Sequence, residues 1–392
     1  MTPMKIPMPF NRNNILLAAG TAINVLAAMA TIFTGYSGYI SPETMPFAGL
    51  AGMTFPLWLI ADAVIIILDI IFAGKLAIVP CAALLASLSP ILTFAPVNLP
   101  EGAMTDDEKD RSFTVLNYNV LNFTDNEAHY PDSINRTLQY ILSTDADIVC
   151  LQECEYLAPF AKYCVTREQV DSVKDRYPYY LIGRGGQSVF SKYPIMPIPL
   201  PITSADEGDM AAYRTNVKGH VLTIFNVHLQ SIGLTVSDKE LFLELTSISV
   251  DKSLSRIRSQ LVSKLYDAYL QRARQARQLR SYIDMLGGNI ILCGDFNDIP
   301  GCYALRTIAD GTMKDAYLRT ASGPKITYNA NRFYFRIDHV LYQGDLDAVS
   351  VVRGNIPSSD HYPLLTTYVW KEDKRTRWNF KQTSTPLKTT VY

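Results

Sequence analysis

The chain has 392 residues, which allows one large domain with an additional segment or two ordinary domains. Its 36 basic and 37 acidic residues give a net charge of −1, so the composition carries no electrostatic footprint for a polyanion such as DNA. The 6 cysteines include no C-x-x-C pair, which gives no support for a cysteine-bound metal. A Cys154–Cys164 disulfide is compatible with the spacing, and cysteine usage leaves the cellular compartment open.

Residues 1–95 predict a membrane anchor. Apolar stretches at about 15–40, 55–72 and 76–99 have the length of transmembrane helices. A cleaved signal peptide followed by a buried helical domain explains them less well, because two further apolar stretches follow the first. Asp62 and Asp69 share one helical face. They predict either a polar seam for a partner or solute, or an Asp69 near the membrane interface beside Lys75 and an Asp62 that is protonated or hydrogen-bonded within the helical bundle.

The basic residues beside these stretches predict an orientation. Lys5 and Arg12 precede the first stretch and Lys75 follows the second, whereas the loop between the first two carries Glu43 and no basic residue. By the positive-inside rule the N-terminus is cytoplasmic, and everything after the third stretch is extracytoplasmic. The chain is therefore predicted to be a multi-pass integral membrane protein. Residues 96–112 have the composition of a solvated linker.

Residues 113–370 predict an α/β domain. Apolar runs typical of strands occur at 113–121, 147–151, 187–191, 213–218, 221–227, 290–293, 335–342, 348–353 and 364–369. Asp132 or Ser133 can cap a helix after the first run, and residues 254–279 predict a long amphipathic helix. Its arginines at 272, 274, 277 and 280 are interpreted as a solvated face. Several connections are too short for parallel crossovers, which favours an α/β sandwich. The basic tail, residues 371–392, is expected to be disordered and able to touch anionic lipid.

Polar residues of similar chemistry recur at the ends of the apolar runs. They are Asn119, Glu153, His228, Asp295, Asn297, Asp338, Asp360 and His361. Singly, each has an ordinary structural explanation, such as a backbone hydrogen bond, a surface ion pair or a buried core histidine. Together they match the needs of phosphate ester hydrolysis, in which oxygen ligands hold Mg²⁺ and a His–Asp pair activates water. The chain contains no P-loop, G-x-S-x-G or H-E-x-x-H motif.

Seven short motifs stand in an order typical of one superfamily. They are YNV at 118–120, DIVCLQE at 147–153, SVFSKYPI at 188–195, NVHLQS at 226–231, GDFND at 294–298, IDHV at 337–340 and SDHYP at 359–363. With this series the sequence resembles the endonuclease/exonuclease/phosphatase superfamily, which includes DNase I-like nucleases, neutral sphingomyelinases and inositol polyphosphate 5-phosphatases. The resemblance covers residues 113–370. It implies a four-layered α/β sandwich of the DNase I type, preceded in this chain by three transmembrane helices.

The resemblance implies a metal site. Glu153 is expected to be the principal Mg²⁺ ligand, with Asn119 near the metal or the phosphate and Asp360 beside the metal site. Mn²⁺ is the alternative ion. Some nucleases of the superfamily have an acid two residues after the first-strand Asn, where this chain has Leu121. A metal shell that is thinner on that side gives less support to a DNA-repair role.

The resemblance also implies catalytic roles. His361 would activate water, Asp338 would orient His361, and Asp295 would position the nucleophile, while Asn297 and His228 would bind the phosphate. The expected protein is a membrane-anchored, Mg²⁺-dependent phosphodiesterase or phosphatase, with a lipid head group as one candidate substrate. The expected partners are a phosphate ester and membrane lipids. Two alternatives stay open: an extracytoplasmic endonuclease with the same site, and a membrane-tethered binding module without turnover.

Overall fold

The structure is a computed structural model that describes residues 12–72, 74–99, 102–124, 135–154, 165–183, 186–201, 209–232, 252–330 and 333–372. The helices of the N-terminal part are α1 (Arg12–Tyr36), α2 (Phe47–Met53), α3 (Phe55–Phe72), α4 (Ile78–Ala86) and α5 (Leu88–Phe94). Single turns of 3₁₀ helix occur at Ser37–Tyr39 and Gly74–Ala77. Cys164 and the tail beyond residue 372 lie outside the described residues, so the disulfide and the disordered tail stay predictions.

Two segments, Ile15–Tyr39 and Phe55–Phe72, are long and apolar enough to cross a membrane. The third predicted span is not one straight helix, because Gly74–Ala86 and Leu88–Phe94 meet at an angle of 61°. Pro90 explains the break, since proline has no N–H to donate to the carbonyl of Ala86. The hydroxyl of Tyr36 donates to that carbonyl instead, at 2.8 Å. Among the described residues there are thus two such helices, or three if the bent pair crosses as one span.

Asp62 lies at the contact between α1 and α3. Its side chain is buried, and the hydroxyl of Thr31 donates a hydrogen bond to its Oδ2 at 2.6 Å. Asp69, seven residues later on the same helix, is also buried. The hydrogen bond supports the interpretation in which Asp62 is bonded within the helical bundle, because a buried carboxyl group needs a polar partner.

The rest of the described chain forms two six-stranded sheets, with helices on their outer faces, and one two-stranded sheet. The strands are β1 (Ser112–Asn119), β2 (Ile148–Gln152), β3 (Tyr179–Ile182), β4 (Ser188–Ser191), β5 (Ile195–Ile198), β6 (Asp209–Val217), β7 (His220–His228), β8 (Ile290–Asp295), β9 (Lys314–Asp315), β10 (Tyr328–Ala330), β11 (Phe333–Phe335), β12 (Asp338–Gln343), β13 (Leu346–Arg353) and β14 (Leu364–Trp370). The helices are α6 (Asp106–Arg111), α7 (Arg136–Thr144), α8 (Arg167–Arg176), α9 (Lys252–Leu286), α10 (Tyr303–Ala309) and α11 (Ala316–Thr320), with a 3₁₀ turn at Leu121–Phe123.

The strand order is β13-β14-β1-β2-β4-β3 in the first sheet and β5-β6-β7-β8-β12-β9 in the second, while β10 and β11 pair with each other. In the middle of each sheet one pair is parallel, β1 with β2 and β7 with β8. The neighbouring pairs β1–β14, β2–β4, β6–β7 and β8–β12 are antiparallel. The carboxyl ends of β1, β2, β7 and β8 therefore lie at one edge of the sandwich.

Hydrophobic clusters divide the domain into four layers. Val115 and Ile224 belong to the cluster between the two sheets. Leu138 of α7 and Val173 of α8 pack on the outer face of the first sheet, and Leu279 of α9 packs on the outer face of the second. The central strands are buried on both faces, which explains their continuous apolar sequences. The expected four-layered α/β sandwich is confirmed.

Most described residues of the segment 96–112 are exposed, but its first residues contact the α/β domain. The carbonyl of Pro96 accepts a hydrogen bond from the N–H of Gly323 at 2.8 Å. The backbone N–H of Asn98 donates to the hydroxyl of Ser322, and that hydroxyl donates to the carbonyl of Asn98, both at 2.8 Å. The first part of the segment is therefore attached to the α/β domain by backbone hydrogen bonds, which composition does not reveal.

Most predicted strands are present, with ends that differ by a few residues. The prediction of one strand at 335–342 is wrong, because β11 ends at Phe335 and β12 begins at Asp338. The short strands β3, β5, β9 and β10 have no sequence prediction, since two to four residues carry too little pattern. The N-cap of α7 is Asn135, whose side chain accepts a hydrogen bond from the N–H of Leu138, so the prediction of Asp132 or Ser133 as the cap is wrong.

The arginines of α9 do not all face solvent, so the interpretation of a solvated basic face is wrong in part. Arg272 is 1% exposed, and its Nε lies 3.3 Å from Oδ2 of Asp298. Arg280 is buried and donates to a backbone carbonyl at 2.9 Å. Arg274 and Arg277 are exposed. A guanidinium group can be buried where carboxylate and carbonyl oxygens accept its hydrogen bonds.

Candidate active site

Three of the predicted site residues lie side by side across the second sheet. The register of β7 with β8 pairs His228 with Asp295, and the register of β8 with β12 pairs Asp295 with Asp338. Nε2 of His228 is 3.7 Å from Oδ2 of Asp295. Residues paired in register are separated by one strand spacing of about 5 Å. The strands thus bring three ionisable side chains together in one row.

The first sheet contributes Asn119 and Glu153 opposite this row. β1 ends at Asn119, and Glu153 follows the last residue of β2. Nδ2 of Asn119 donates to Oε1 of Glu153 and to Oδ2 of Asp295, both at 3.1 Å. Beneath them Nε2 of Gln152 donates to Oδ1 of Asn226 at 2.7 Å, and this buried bond joins the two sheets. Asn119 therefore links the acidic groups of both sheets.

His361 and Asp338 form a buried pair. Nδ1 of His361 lies 2.8 Å from Oδ2 of Asp338, and Nε2 lies 3.4 Å from Oδ2 of Asp295. The N–H of Asp338 donates to the hydroxyl of Thr327 at 3.0 Å. The ring of Tyr328 is 5.0 Å from the imidazole ring, edge to face. The orientation of the imidazole is therefore fixed by an acid on one side and an aromatic ring on another.

The acids around His361 control its protonation. Burial has the largest single effect on the pKa of His361 and lowers it, but the carboxylates of Asp338 and Asp295 together outweigh burial and raise the pKa to about 10. Burial also raises the pKa of Asp338, against the opposing effect of the nearby imidazole. Both shifts keep a proton between the two side chains, so Nδ1 of His361 is the donor and Asp338 the acceptor.

The loop after β8 presents Asn297 and fixes Asp298. The N–H of Asn297 donates to Oδ1 of Asp295 at 2.8 Å, and its side-chain amide donates to the carbonyl of Leu229 at 2.9 Å. Asp298 is paired with the buried Arg272 and accepts a hydrogen bond from the N–H of the following residue. Asp298 therefore stabilises the loop.

The backbone at the site adopts conformations that are rare for residues with side chains. Glu153 has a φ of 50° and Asn297 a φ of 51°, both in the left-handed region. Gly294 precedes Asp295, and a Cβ at this position would collide with the carbonyl of Val227 in the neighbouring strand. Strained or close backbone of this kind concentrates at functional sites, where it fixes the direction of side chains.

A cavity of about 770 Å³ contains the site. The predicted site residues that line it are Glu153, His228, Asp295, Asn297, Asp360 and His361. Asp360 is half-buried, and its Oδ1 lies 3.5 Å from the hydroxyl of Ser359. Among the described residues, one His/Asp cluster with metal-ligand spacing is present: Asp295, Asp338 and His361 offer atoms within 4.8 Å of one another. The structure thus brings all eight predicted residues to one place.

Sequence reasoning missed residues that support the site. The hydroxyl of Ser359 donates to the carbonyl of Asn119 at 2.8 Å and accepts from the N–H of His361 at 3.1 Å. Its position directly before Asp360 in the SDHYP motif is the signal that could have identified it. Thr327 carries no such signal, because it lies in a segment between two short strands whose sequence is typical of an ordinary loop.

A sandwich of two sheets whose strand ends collect acids, amides and a His–Asp pair in one cavity defines a class of phosphoric ester hydrolases. The profile of the endonuclease/exonuclease/phosphatase family matches residues 116–361, and the chain belongs to this family. Residues 13–94 match a domain of unknown function, DUF8431. No curated protein sequence matches the chain significantly.

The chain is similar to several solved structures. An endonuclease/exonuclease/phosphatase from Beutenbergia cavernae is 18% identical, with 67% of this chain and 72% of that chain covered and a TM-score of 0.46. A mannosyl-6-phosphatase from Bacteroides thetaiotaomicron is 18% identical, with 66% and 100% covered and a TM-score of 0.38. TDP2 from D. rerio, complexed with a single-strand DNA product, is 15% identical, with 66% and 98% covered and a TM-score of 0.40.

Proposed function

We propose that the protein is a membrane-anchored, Mg²⁺-dependent hydrolase of phosphate esters. The observation that carries the proposal is that polar groups of both sheets meet at one place. Asn119 and Glu153 of the first sheet lie opposite the row of His228, Asp295 and Asp338. Beside them, Nδ1 of His361 lies 2.8 Å from Oδ2 of Asp338. Acids and a histidine from both sheets meet there, in a cavity that admits a ligand. A binding module without turnover has no need for a buried His–Asp pair beside these acids.

The donors present fit a hard divalent cation. Glu153 and Asp295 offer carboxylate oxygens, and Asn119 an amide group, which is the ligand chemistry that Mg²⁺ prefers. The cavity already holds the acids Glu153, Asp295 and Asp360, so a phosphate anion would be repelled unless a cation neutralised that charge. We assign the cation to Glu153, half-buried and directed into the cavity, with Asn119 beside it and Asp360 near it. When bound, Mg²⁺ would neutralise charge on the phosphate and on its leaving oxygen.

The residues of the chain divide the chemistry among them. Neutral His361 takes the proton of the attacking water at Nε2, while Asp338 holds Nδ1–H and so fixes the tautomer. A cation bound beside Glu153 and Asp295 would offset the carboxylate charge that raises the pKa of His361, and so would favour this neutral form. Asp295, 3.4 Å from Nε2 of His361, positions the water. Asn297 uses one amide hydrogen for the carbonyl of Leu229, and the second is available for a phosphate oxygen. His228, 16% exposed at its side chain, presents a further donor to the phosphate.

The test uses the full-length chain purified in detergent, with bis-(4-nitrophenyl) phosphate as substrate. We expect hydrolysis that needs Mg²⁺ and stops with EDTA. His361→Ala should reduce kcat by at least about 100-fold, because general base catalysis contributes about 10²–10⁴. His220→Ala is the matched control, since His220 stacks on Trp370 away from the site. Turnover that is equal in both variants would exclude His361 as the base. A wild-type chain without turnover would favour the binding module.

We also propose the orientation in the membrane. The positions of Lys5, Arg12 and Lys75 support a cytoplasmic N-terminus and an extracytoplasmic α/β domain. Protease treatment of intact cells should digest the α/β domain and leave the anchor. Complete protection of that domain, with digestion after lysis as the control, would reverse the orientation.

A further inference from the structure

The cavity of the site extends beyond the α/β domain. From Glu153 and His361 it continues to the ends of the anchor helices, where Leu50 of α2, Phe55 of α3 and Phe94 of α5 line it. A ligand in this cavity therefore meets two environments, one of acids and amides and one of hydrocarbon side chains. The second environment is supplied by the membrane anchor.

The anchor is packed tightly against the loop that follows the site. Gly38, in the turn after α1, lies so close to Gly301 that a Cβ at Gly38 would collide with the carbonyl of Gly301. The guanidinium of Arg306 stacks on the ring of Tyr39 at 3.7 Å and also donates to the carbonyl of Gly301 at 2.9 Å. The two parts of the cavity wall therefore have a fixed relation to each other.

The apolar end of the cavity reaches the lipid-facing surface of the anchor. α1 ends at Tyr36, α3 begins at Phe55 and α5 ends at Phe94, so three helix ends meet at the α/β domain. Leu57, in the first turn of α3, lines the cavity and is 65% exposed. Ile60, one turn further along α3, is 63% exposed. The apolar wall thus continues onto a surface that contacts lipid if the anchor is inserted in a bilayer.

We propose that the substrate is a lipid phosphate ester, whose hydrocarbon chain lies along Leu50, Phe55 and Leu57 while its phosphate lies at His361 and Asn297. This inference rests on the proposed hydrolase function. A phosphate ester without a hydrocarbon chain has no apolar group that could pack against this wall, whereas burial of a hydrocarbon chain there is favourable. The chain enters past Leu57, so the lipid keeps contact with the bilayer while its phosphate reaches the site.

The test compares substrates that differ in the hydrocarbon chain alone. Methyl 4-nitrophenyl phosphate and octyl 4-nitrophenyl phosphate have the same leaving group, and release of 4-nitrophenolate reports hydrolysis of both. The full-length chain is assayed with Mg²⁺ in a maltoside detergent, which contains no phosphate. Each buried methylene can favour the octyl ester by up to about fourfold. We therefore expect kcat/KM to be at least about tenfold higher for octyl than for methyl, because two buried methylenes already exceed that factor.

Variants then locate the chain in the cavity. Leu50→Trp narrows the apolar part and should reduce the octyl-to-methyl ratio of kcat/KM to about threefold or less, since it displaces methylenes. Met53→Trp is a companion variant on the same wall, in case the first does not fold. Ile67→Trp, on the exposed face of α3, is the matched control and should keep the ratio of the wild type. The ratio is measured within each preparation, so loss of folded protein does not change it.

The outcomes separate the two proposals. If neither ester is hydrolysed, the proposed hydrolase function fails. If both are hydrolysed at similar kcat/KM, the hydrolase function stands and the lipid substrate is refuted. An octyl preference that is the same in Leu50→Trp, Met53→Trp and Ile67→Trp also refutes it, because the preference then comes from the detergent micelle. Plasmid DNA is assayed in parallel, and its cleavage without any octyl preference would favour the endonuclease.

Discussion

Asp338→Asn is the substitution that most directly tests the chemistry of the site. Asp338 is buried, lies outside the cavity lining and touches the imidazole of His361 through a 2.8 Å contact between Oδ2 and Nδ1. Asparagine keeps the size of the side chain and removes its charge. The variant should therefore lose the stabilisation of a protonated imidazole and the preference for one tautomer. Because Asp338 does not reach the substrate, kcat should fall and KM should stay the same.

The magnitude follows from the geometry. Two unit charges 2.8 Å apart interact by about 6 kcal/mol at an effective dielectric constant of about 20. The cost of burying both groups cancels part of this energy, and a net loss of about 3 kcal/mol corresponds to a decrease of about 100-fold in kcat. Loss of one charged hydrogen bond costs about 2 kcal/mol of stability, which lowers Tm by about 4–8 °C in a domain of this size.

The assay is hydrolysis of bis-(4-nitrophenyl) phosphate at saturating Mg²⁺, with Tm measured on the same samples. Asp347→Asn is the matched control, because Asp347 lies exposed on β13, where it forms an ion pair with Lys314. It should keep the kcat of the wild type. A folded Asp338→Asn variant with kcat within about threefold of the wild type would refute the positioning role. An increase of KM at constant kcat would mean that Asp338 contacts the substrate.

Further predictions concern stability and metal binding. Arg272→Ala should lower the free energy of unfolding by about 3–5 kcal/mol in urea titrations, because it leaves a buried carboxylate unpaired, whereas the exposed Arg274→Ala should change it by less than about 0.5 kcal/mol. Glu153→Gln should raise the Mg²⁺ concentration needed for half-maximal activity by at least about tenfold, since it removes a charged ligand. Burial raises the pKa of Asp315, but Arg336 and a nearby histidine outweigh burial and lower it below 3.8. The ionised carboxylate of Asp315 therefore stabilises the fold above pH 3.8, and this contribution is lost as the pH falls through the lower pKa of the folded state. Asp315→Asn should remove this contribution, so its Tm should fall less than that of the wild type between about pH 5 and 2.

Each of these predictions can fail in a distinct way. Equal unfolding free energies for Arg272→Ala and Arg274→Ala would show that the Arg272–Asp298 pair is not buried in solution. An unchanged Mg²⁺ requirement in Glu153→Gln would assign the cation to the Asp295–Asp338–His361 cluster instead. A wild-type and an Asp315→Asn variant with parallel Tm curves in acid would show that Asp315 is not paired with a guanidinium.

The α/β domain could be predicted in some detail because its signals are local. A strand buried on both faces is a continuous apolar run, as in β8, and its end is marked by Gly294 and the acid that follows. Asn119, Glu153 and His228 each stand at such an end, and parallel strands place their carboxyl ends at one edge. His361 lies just before β14, which runs antiparallel to β1, and so it reaches the same edge. The short strands were beyond this reasoning, since β9 has two residues and exists through its pairing with β12.

The sequence by itself determined the apolar N-terminal helices, the sandwich and the set of polar residues at strand ends, because burial and strand geometry impose a period on the chain. Only the tertiary structure decided that Arg272 is buried and that the N-terminal helices complete the cavity. The sequence pattern of an amphipathic helix is the same whether its arginine contacts water or Asp298. Likewise, the sequence around Leu57 does not show whether this side chain faces lipid or a ligand. The contact of Gly38 with Gly301 joins residues that are too far apart in sequence to produce a periodic pattern.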